Sequence, residues 1–272
     1  MYSQKYQQNF LIARRIGNKY KCTLVHNCLV SGFEDEERAY TEKGQAGNAS
    51  KLDTNLHRAK RIVNEYSLCN PWEYFVTLTL DKAKYDRNDL GKFKKDLSQY
   101  IRDFRKKYKV AFSYLLIPEK HKDGTWHMHG FFNGLPIEQL HEFTLDEKLP
   151  YAIRDRIKNG KRVFTWKAYE AKFGFSDIEL IENQEASANY ILKYITKDAL
   201  RTISELNAHM FYASNGLKRA EVVKKGIARE TFDKPDYVGE YATIKWFTHP
   251  NEFQRYFEDF SDIAKAVHID NN

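Results

Sequence analysis

The feature that narrows the fold most is a run of about sixty residues in which strand and helix periods alternate. YFVTLTLD (74–81) follows the turn dipeptide Asn70-Pro71 and sets Thr77 and Thr79 against Val76, Leu78 and Leu80. That is the two-residue period and the β-branched, aromatic content of a strand. Residues 89–108 then place Leu90, Phe93, Leu97, Ile101, Phe104 and Tyr108 at three- and four-residue spacing, the stripe of an amphipathic helix. SYLLIPE (113–119), HKDG (121–124) and TWHMHGFF (125–132) read as strand, turn and returning strand. Further on, FSDIELI (175–181) is a strand that feeds a helix opened by Glu182, Asn183, Gln184 and Glu185, and MFYAS (210–214) is another strand.

The order is strand, helix, strand, strand, a mixed insertion, strand, helix, strand. It predicts an α+β fold, an RRM-like or ferredoxin-like palm with a central antiparallel sheet. In that topology the first and third strands are neighbours, so the threonine strand should lie beside the strand WHMHG. The acidic run GFEDEE (32–37) and the small-residue loop GQAGNAS (44–50) separate a short N-terminal piece, and residues 51–67 read as a helix carrying Arg58, Lys60 and Arg61. The expected division is an N-terminal extension with this basic helix (1–70), the palm (71–215) and a C-terminal extension (216–272). The aromatic and acidic positions of the last part (Tyr256, Phe257, Glu258, Asp259, Phe260) suggest that it packs on the palm.

A formal charge of +7 and a pI near 9.0 favour a polyanionic partner. The opening MYSQKYQQNF has no apolar signal region, and no apolar run reaches membrane-spanning length, so a soluble cytoplasmic protein without a membrane partner is expected. The three cysteines are odd in number and sparse, unlike a disulfide framework. Cys22, His26 and Cys28 lack the second close pair of a structural zinc site.

In WHMHG, His127 and His129 stand at i and i+2 of a strand, so both imidazoles project from one face and Met128 from the other. That geometry can grip one divalent cation. Glu119 precedes His127 by eight residues. An odd hairpin loop returns Glu119 to the histidine face, and a two-residue Asp123-Gly124 turn does not. His121 shares the parity of Glu119 and stands in reserve. Two imidazoles and one carboxylate leave coordination positions open for substrate oxygens.

NYILKYITKD (189–198) winds Tyr190, Lys193, Tyr194 and Lys197 onto a stripe of roughly 100°. Ala188, Ile191, Leu192 and Ile195 supply a separate apolar sector, so the tyrosines are not needed for burial. An amphipathic surface helix with snorkelling tyrosines accounts for the same pattern.

Taken together, WHMHGFF resembles the His-hydrophobe-His motif of the HUH endonucleases, YFVTLTLD their first motif and YILKYITKD their tyrosine motif. The carboxylate eight residues ahead of the first histidine is similar to that of many rolling-circle replication initiators. The resemblance covers roughly residues 72–215. It implies metal-dependent nicking of single-stranded origin DNA, a 5′-phosphotyrosine intermediate, and Mg or Mn on His127, His129 and Glu119. By comparison with two-tyrosine initiators of phages and plasmids, Tyr194 makes the first cut and Tyr190 the second transfer, with Lys193 and Lys197 favouring the anions. No GxxxxGK[ST] run is present, so a separate helicase would open the duplex. The same chemistry serves transposases and relaxases, whereas a non-catalytic RRM-like regulator would need neither the paired histidines nor the tyrosine stripe. A nuclease that uses water would need the metal and not the phenols. Expected DNA contacts are Thr77 and Thr79, the basic helix face with Lys94, Lys95, Arg102 and Arg105, and a patch with Lys218 and Arg219. A solvated helix face explains the helical charges equally.

Overall fold

The computed structural model describes residues 6–29, 49–196 and 209–258, together with Ala199 and Thr202. In chain order the elements are β1 (Tyr6–Ile16), β2 (Lys19–Leu29), α1 (Ala49–Cys69), β3 (Tyr74–Thr79), α2 (Leu90–Tyr108), β4 (Ser113–Lys120) and β5 (Trp126–Asn133). A 3-10 turn (Ile137–Gln139), β6 (Leu140–Glu142), α3 (Tyr151–Lys158), β7 (Val163–Trp166), α4 (Lys167–Lys172) and β8 (Ser176–Leu180) follow. Then come α5 (Gln184–Ile191), a second 3-10 turn (Leu192–Tyr194), β9 (Tyr212–Ala213), β10 (Glu221–Ile227), β11 (Tyr237–Val238), β12 (Ala242–Phe247) and α6 (Pro250–Gln254).

The palm holds the described residues from Ala49 to Lys218. Its sheet has the order β6-β7-β8-β3-β5-β4-β9 with antiparallel pairing throughout. The four central strands reproduce the α+β palm expected from the element order, and β3 lies directly beside β5. The alternation along the strands sorts two apolar layers. Val76, Leu78, Met128 and Phe132 face one way, against Phe93, Leu97, Ile101 and Phe104 of α2. Phe131, Leu115 and Ile117 face the other way, against Leu56 and Val63 of α1 and Ile191 of α5. Each such fully buried side chain contributes about 2 kcal/mol. Helix α2 starts where Asp89 accepts the Lys92 N–H at 2.8 Å, and its last turn carries Arg105, Lys106 and Lys107 against the negative end of the helix dipole.

The β4–β5 hairpin decides where Glu119 points. His121 N–H donates to Thr125 O and Gly124 N–H to His121 O, both at 2.9 Å, and Gly124 has φ +86°. Residues 122–124 are thus a three-residue loop with its glycine in the left-handed region. The odd count pairs Glu119 with His127 across the strands and puts both on the face of His129.

The described residues up to Leu29 and from Arg219 onward form a second compact unit. Its sheet has the order β10-β1-β2-β12-β11, over a core of Leu11, Cys22, Leu24, Phe247, Phe253, Tyr256 and Phe257. Two parts of the expected division change. Tyr256 and Phe257, read as packing on the palm, lie in this second core, because β10 and β12 from the C-terminal part close both edges of the β1–β2 hairpin. Helix α1, read as part of the N-terminal extension, belongs with the palm. Asp259 and Phe260 lie outside the described residues.

Candidate metal and tyrosine site

Two rungs of the sheet build the site. Across β3, β5 and β4, Thr79 sits opposite His127 and His127 opposite Glu119. The next rung sets Asp177 of β8 opposite Thr77, Thr77 opposite His129 and His129 opposite Ile117. Directly opposed residues in antiparallel strands share a face, so these polar groups gather on one side of the palm.

The threonines hold the imidazoles. Thr77 Oγ1 is 3.1 Å from His129 Nδ1, and Thr79 Oγ1 is 3.0 Å from His127 Nδ1. With Nδ1 occupied, each ring presents Nε2 away from β3. That is how a second layer of hydrogen bonds fixes a ligand's orientation. His129 is 7% exposed, and its Nε2 meets Glu119 Oε2 at 2.7 Å. His121 Nε2 reaches the same oxygen at 3.4 Å. Ligating atoms of Glu119, His121 and His129 all lie within 4.8 Å of one another. His127 is not in that trio. Its ring stacks on His121 with centroids 3.7 Å apart, so the reserve residue lies where the expected ligand set had only His127. Burial, helped by His121 and His129, pushes the His127 imidazole down from 6.5 to about 4. Burial also lowers His129, against the pull of Glu119. Both rings are neutral near pH 7, the form that offers a lone pair to a cation. One carboxylate and two or three neutral imidazoles, oriented from behind, fit a divalent cation.

The tyrosines arrive from above this cluster. Helix α5 begins at Asn183, whose side chain accepts the Ala186 N–H at 2.9 Å. It is fastened to the end of α1 by Gln184 Nε2, which donates to Ser67 O at 2.8 Å and Asn70 O at 2.7 Å. Ala188, Ile191 and Ile195 are buried, as the separate apolar sector required. After Ile191 the chain tightens into the 3-10 turn, advancing about 120° per residue instead of 100°. Tyr190, 48% exposed, packs edge-on against Phe75 at 5.4 Å. Tyr194 stacks flat on His129, with ring centroids 4.0 Å apart and 7° between planes. The two hydroxyls are 3.5 Å apart, with Tyr194 donating to Tyr190. Lys193 Nζ lies 3.5 Å from the Tyr190 ring centroid and 4.7 Å from that of Tyr194. Lys193 first and the Tyr194 hydroxyl second hold the Tyr190 phenol below its ordinary value of 10. Burial first, and then the hydrogen bond to Tyr190, push Tyr194 above it. Lys197 lies outside the described residues.

The expected DNA contacts scatter. Thr77 and Thr79 are committed to the histidines. Arg105 donates from Nε to Phe112 O at 2.6 Å and from Nη2 to Ser214 Oγ at 2.8 Å, which ties α2 to the sheet edge. Lys94 lies over the Tyr212 ring at 5.8 Å, and Arg102 donates to Gln99 at 2.6 Å. Lys95 is exposed on α2. Lys218 is bound through its backbone to Asn70, at 2.8 Å and 2.9 Å, while Arg219 starts the second unit. Asn70 and Gln184, which set α5 in place, were not singled out from the sequence. Asn70 carried a signal only as part of a turn dipeptide.

The palm and its cluster define a class: an α+β nucleic-acid-processing palm with paired imidazoles and paired phenols on one sheet face. Residues 73–199 match the family described as replication-associated protein ORF2, and through this domain, which contains every residue of the cluster, the chain belongs to that Rep family. No curated protein and no solved structure matches the chain. Among the described residues no helix is long and apolar enough to cross a membrane.

Proposed function

We propose that this replication-associated protein nicks single-stranded origin DNA through a phosphotyrosine link and rejoins the strands in rolling-circle replication. The observation that carries the reading is the contact of Tyr194 with His129, which sets two phenols and one lysine against a ready-made group of cation ligands. A free phenol near pKa 10 is ionised about once in a thousand molecules at pH 7. Lys193 and the Tyr194 hydroxyl shift that balance for Tyr190. The electrostatics favour Tyr190 as the first nucleophile, the reverse of the order drawn from the two-tyrosine initiators. Its oxygen bonds to phosphorus, the bond to the 3′ oxygen breaks, and the departing hydroxyl takes up a proton in exchange for the phenolic one. Tyr194, a hydroxyl away, is then placed for the second transfer. Rejoining needs no ATP because the tyrosine ester keeps the bond energy. A cation, Mg or Mn, held by His129 and Glu119 with His127 or His121, would supply positive charge against the scissile phosphate. The helicase that opens the duplex is a separate partner.

The test is incubation with single-stranded DNA of the protein's own replicon and Mn, resolved on a denaturing gel. A DNA-linked band present in wild type, lost in Tyr190→Phe and retained in Tyr194→Phe supports the reading and the order. Loss only in Tyr194→Phe reverses the order. No band, despite binding and a filled metal site, would shift the assignment to a non-catalytic regulator.

A further inference from the structure

A cavity of about 640 Å³ opens on the palm beside the tyrosines, within the roughly 300–1,000 Å³ of small-molecule sites. One wall is a single stripe of α5 and its continuation: Asn183, Ala186, Ser187, Tyr190 and Tyr194. The small side chains at 186 and 187 leave the space open, and the two phenols stand at its catalytic end. The floor is the β3–β8 part of the sheet face, with Phe75, Thr77, Asp177 and Glu179. Across from α5, Arg156 gives Nη2 to Asp177, Nη1 to Glu179 and Nε to Ala152 O at 3.2 Å. Lys161 is paired with Glu182 at 2.5 Å.

The charges on the lining say what would enter. Three carboxylates (Asp177, Glu179, Glu182) face two cations (Arg156, Lys161), and both cations already hold carboxylates. A phosphate gains little here. A neutral, flat group gains aromatic contact from Phe75 and Tyr190 and finds acceptors along β8. Asp177 is a costly acid for a sheet interior, since one of its oxygens is enclosed with no hydrogen-bond partner among the described residues.

Resting on the reading of single-stranded DNA as substrate, we infer that this cavity takes the base next to the cleaved phosphate, and that Asp177 and Glu179 select for bases with an amino group. Adenine, cytosine and guanine can donate from that group to a carboxylate. Thymine has none and turns two carbonyl oxygens toward the acids. The cavity lies across His129 from Glu119, so a base held in it leaves the cation side of the phosphate clear.

The experiment uses the full-length protein and a pool of single-stranded 20-mers with randomised bases, in Mn. Bound and covalently linked fractions are sequenced separately for wild type and Asp177→Asn. Wild type should discriminate against thymine about tenfold or more at one position, the scale of a base-edge contact. Asp177→Asn keeps the shape, turns an acceptor into a donor, and should cut that ratio to under about threefold with other positions unchanged. A uniform rise in binding without a change in the ratio would report only the lost negative charge and would overturn the inference. Ala186→Leu, on the exposed surface of α5, fills the cavity without touching the ion pairs. It should erase the same preference if Asp177→Asn fails to fold, and an unchanged preference would again refute the inference. The bound fraction judges the cavity even if no adduct forms, so failure of the nicking reading and failure of this one are separable.

Discussion

Tyr190 and Tyr194 are the same side chain four residues apart in two electrical settings. Tyr190 is held by an ammonium group and accepts a hydroxyl proton, while Tyr194 lies flat on a buried imidazole. The Tyr194 hydroxyl lowers the pKa of Tyr190, so Tyr194→Phe removes a lowering influence and raises it. Initial rates of adduct formation between pH 6 and 10 should therefore rise later in Tyr194→Phe, the limb moving to higher pH, with the same plateau. An unmoved limb would mean that the phenols act independently. The histidines have a similar dependence on their neighbours. Thr77→Val keeps the shape of the strand residue and deletes the oxygen beside His129 Nδ1. Titration calorimetry with Mn should show affinity lower by about 10- to 100-fold, the usual effect of losing such an orienting hydrogen bond. Unchanged affinity would free Thr77 for the DNA contact first suggested by the sequence.

At the level of elements, Gly130 shows how tightly the hairpin of the site is built. A Cβ there would fall 1.9 Å from Leu115 O in the neighbouring strand. Gly130→Ala must push β4 from β5, and with it Glu119 from His129. A fall in melting temperature together with loss of Mn binding is expected, and a wild-type melt would show that the strands part without cost. Such a close approach cannot be read from GFF in a sequence, whereas the strands and helix around it could be, because their periods are set by one buried face each. The threonine strand, α2, the β4–β5 hairpin and β8 were legible for that reason. So was the side of the sheet on which Glu119 lies, once the loop was odd. The 3-10 tightening after Ile191 was not, since it follows from the fit of Tyr194 on His129, a contact made across 65 residues of chain. Nor was the place of His121, which depends on the path of a loop. The β1–β2 hairpin did carry a local signal, Gly17-Asn18 between apolar runs, with Gly17 at φ 61°. Attention to the cysteines and histidine of that segment hid it.

For the whole molecule, the informative fact is that one sheet is shared by the two ends of the chain while the replication-associated domain lies between them. Strand β1 pairs with β10 and strand β2 with β12, so both outer edges of the N-terminal hairpin depend on residues more than 190 positions away. A chain ending at residue 218 would keep the hairpin and strip both edges, exposing Leu11, Ala13, Cys22 and Leu24, all buried in the complete sheet. A lone hairpin is marginal in water, and bare edges pair with other chains. That truncation should aggregate on size-exclusion chromatography. A chain spanning residues 41–218 loses the hairpin as well, and it contains α1, the palm sheet and every described member of the metal and tyrosine cluster. It should elute as a single species and bind Mn within about threefold of the full protein, since none of the ligands or their threonine supports has been removed. If the 1–218 chain proved well behaved and the 41–218 chain did not, the hairpin would be a support of the palm, and the two ends could not be treated as a unit that folds on its own account.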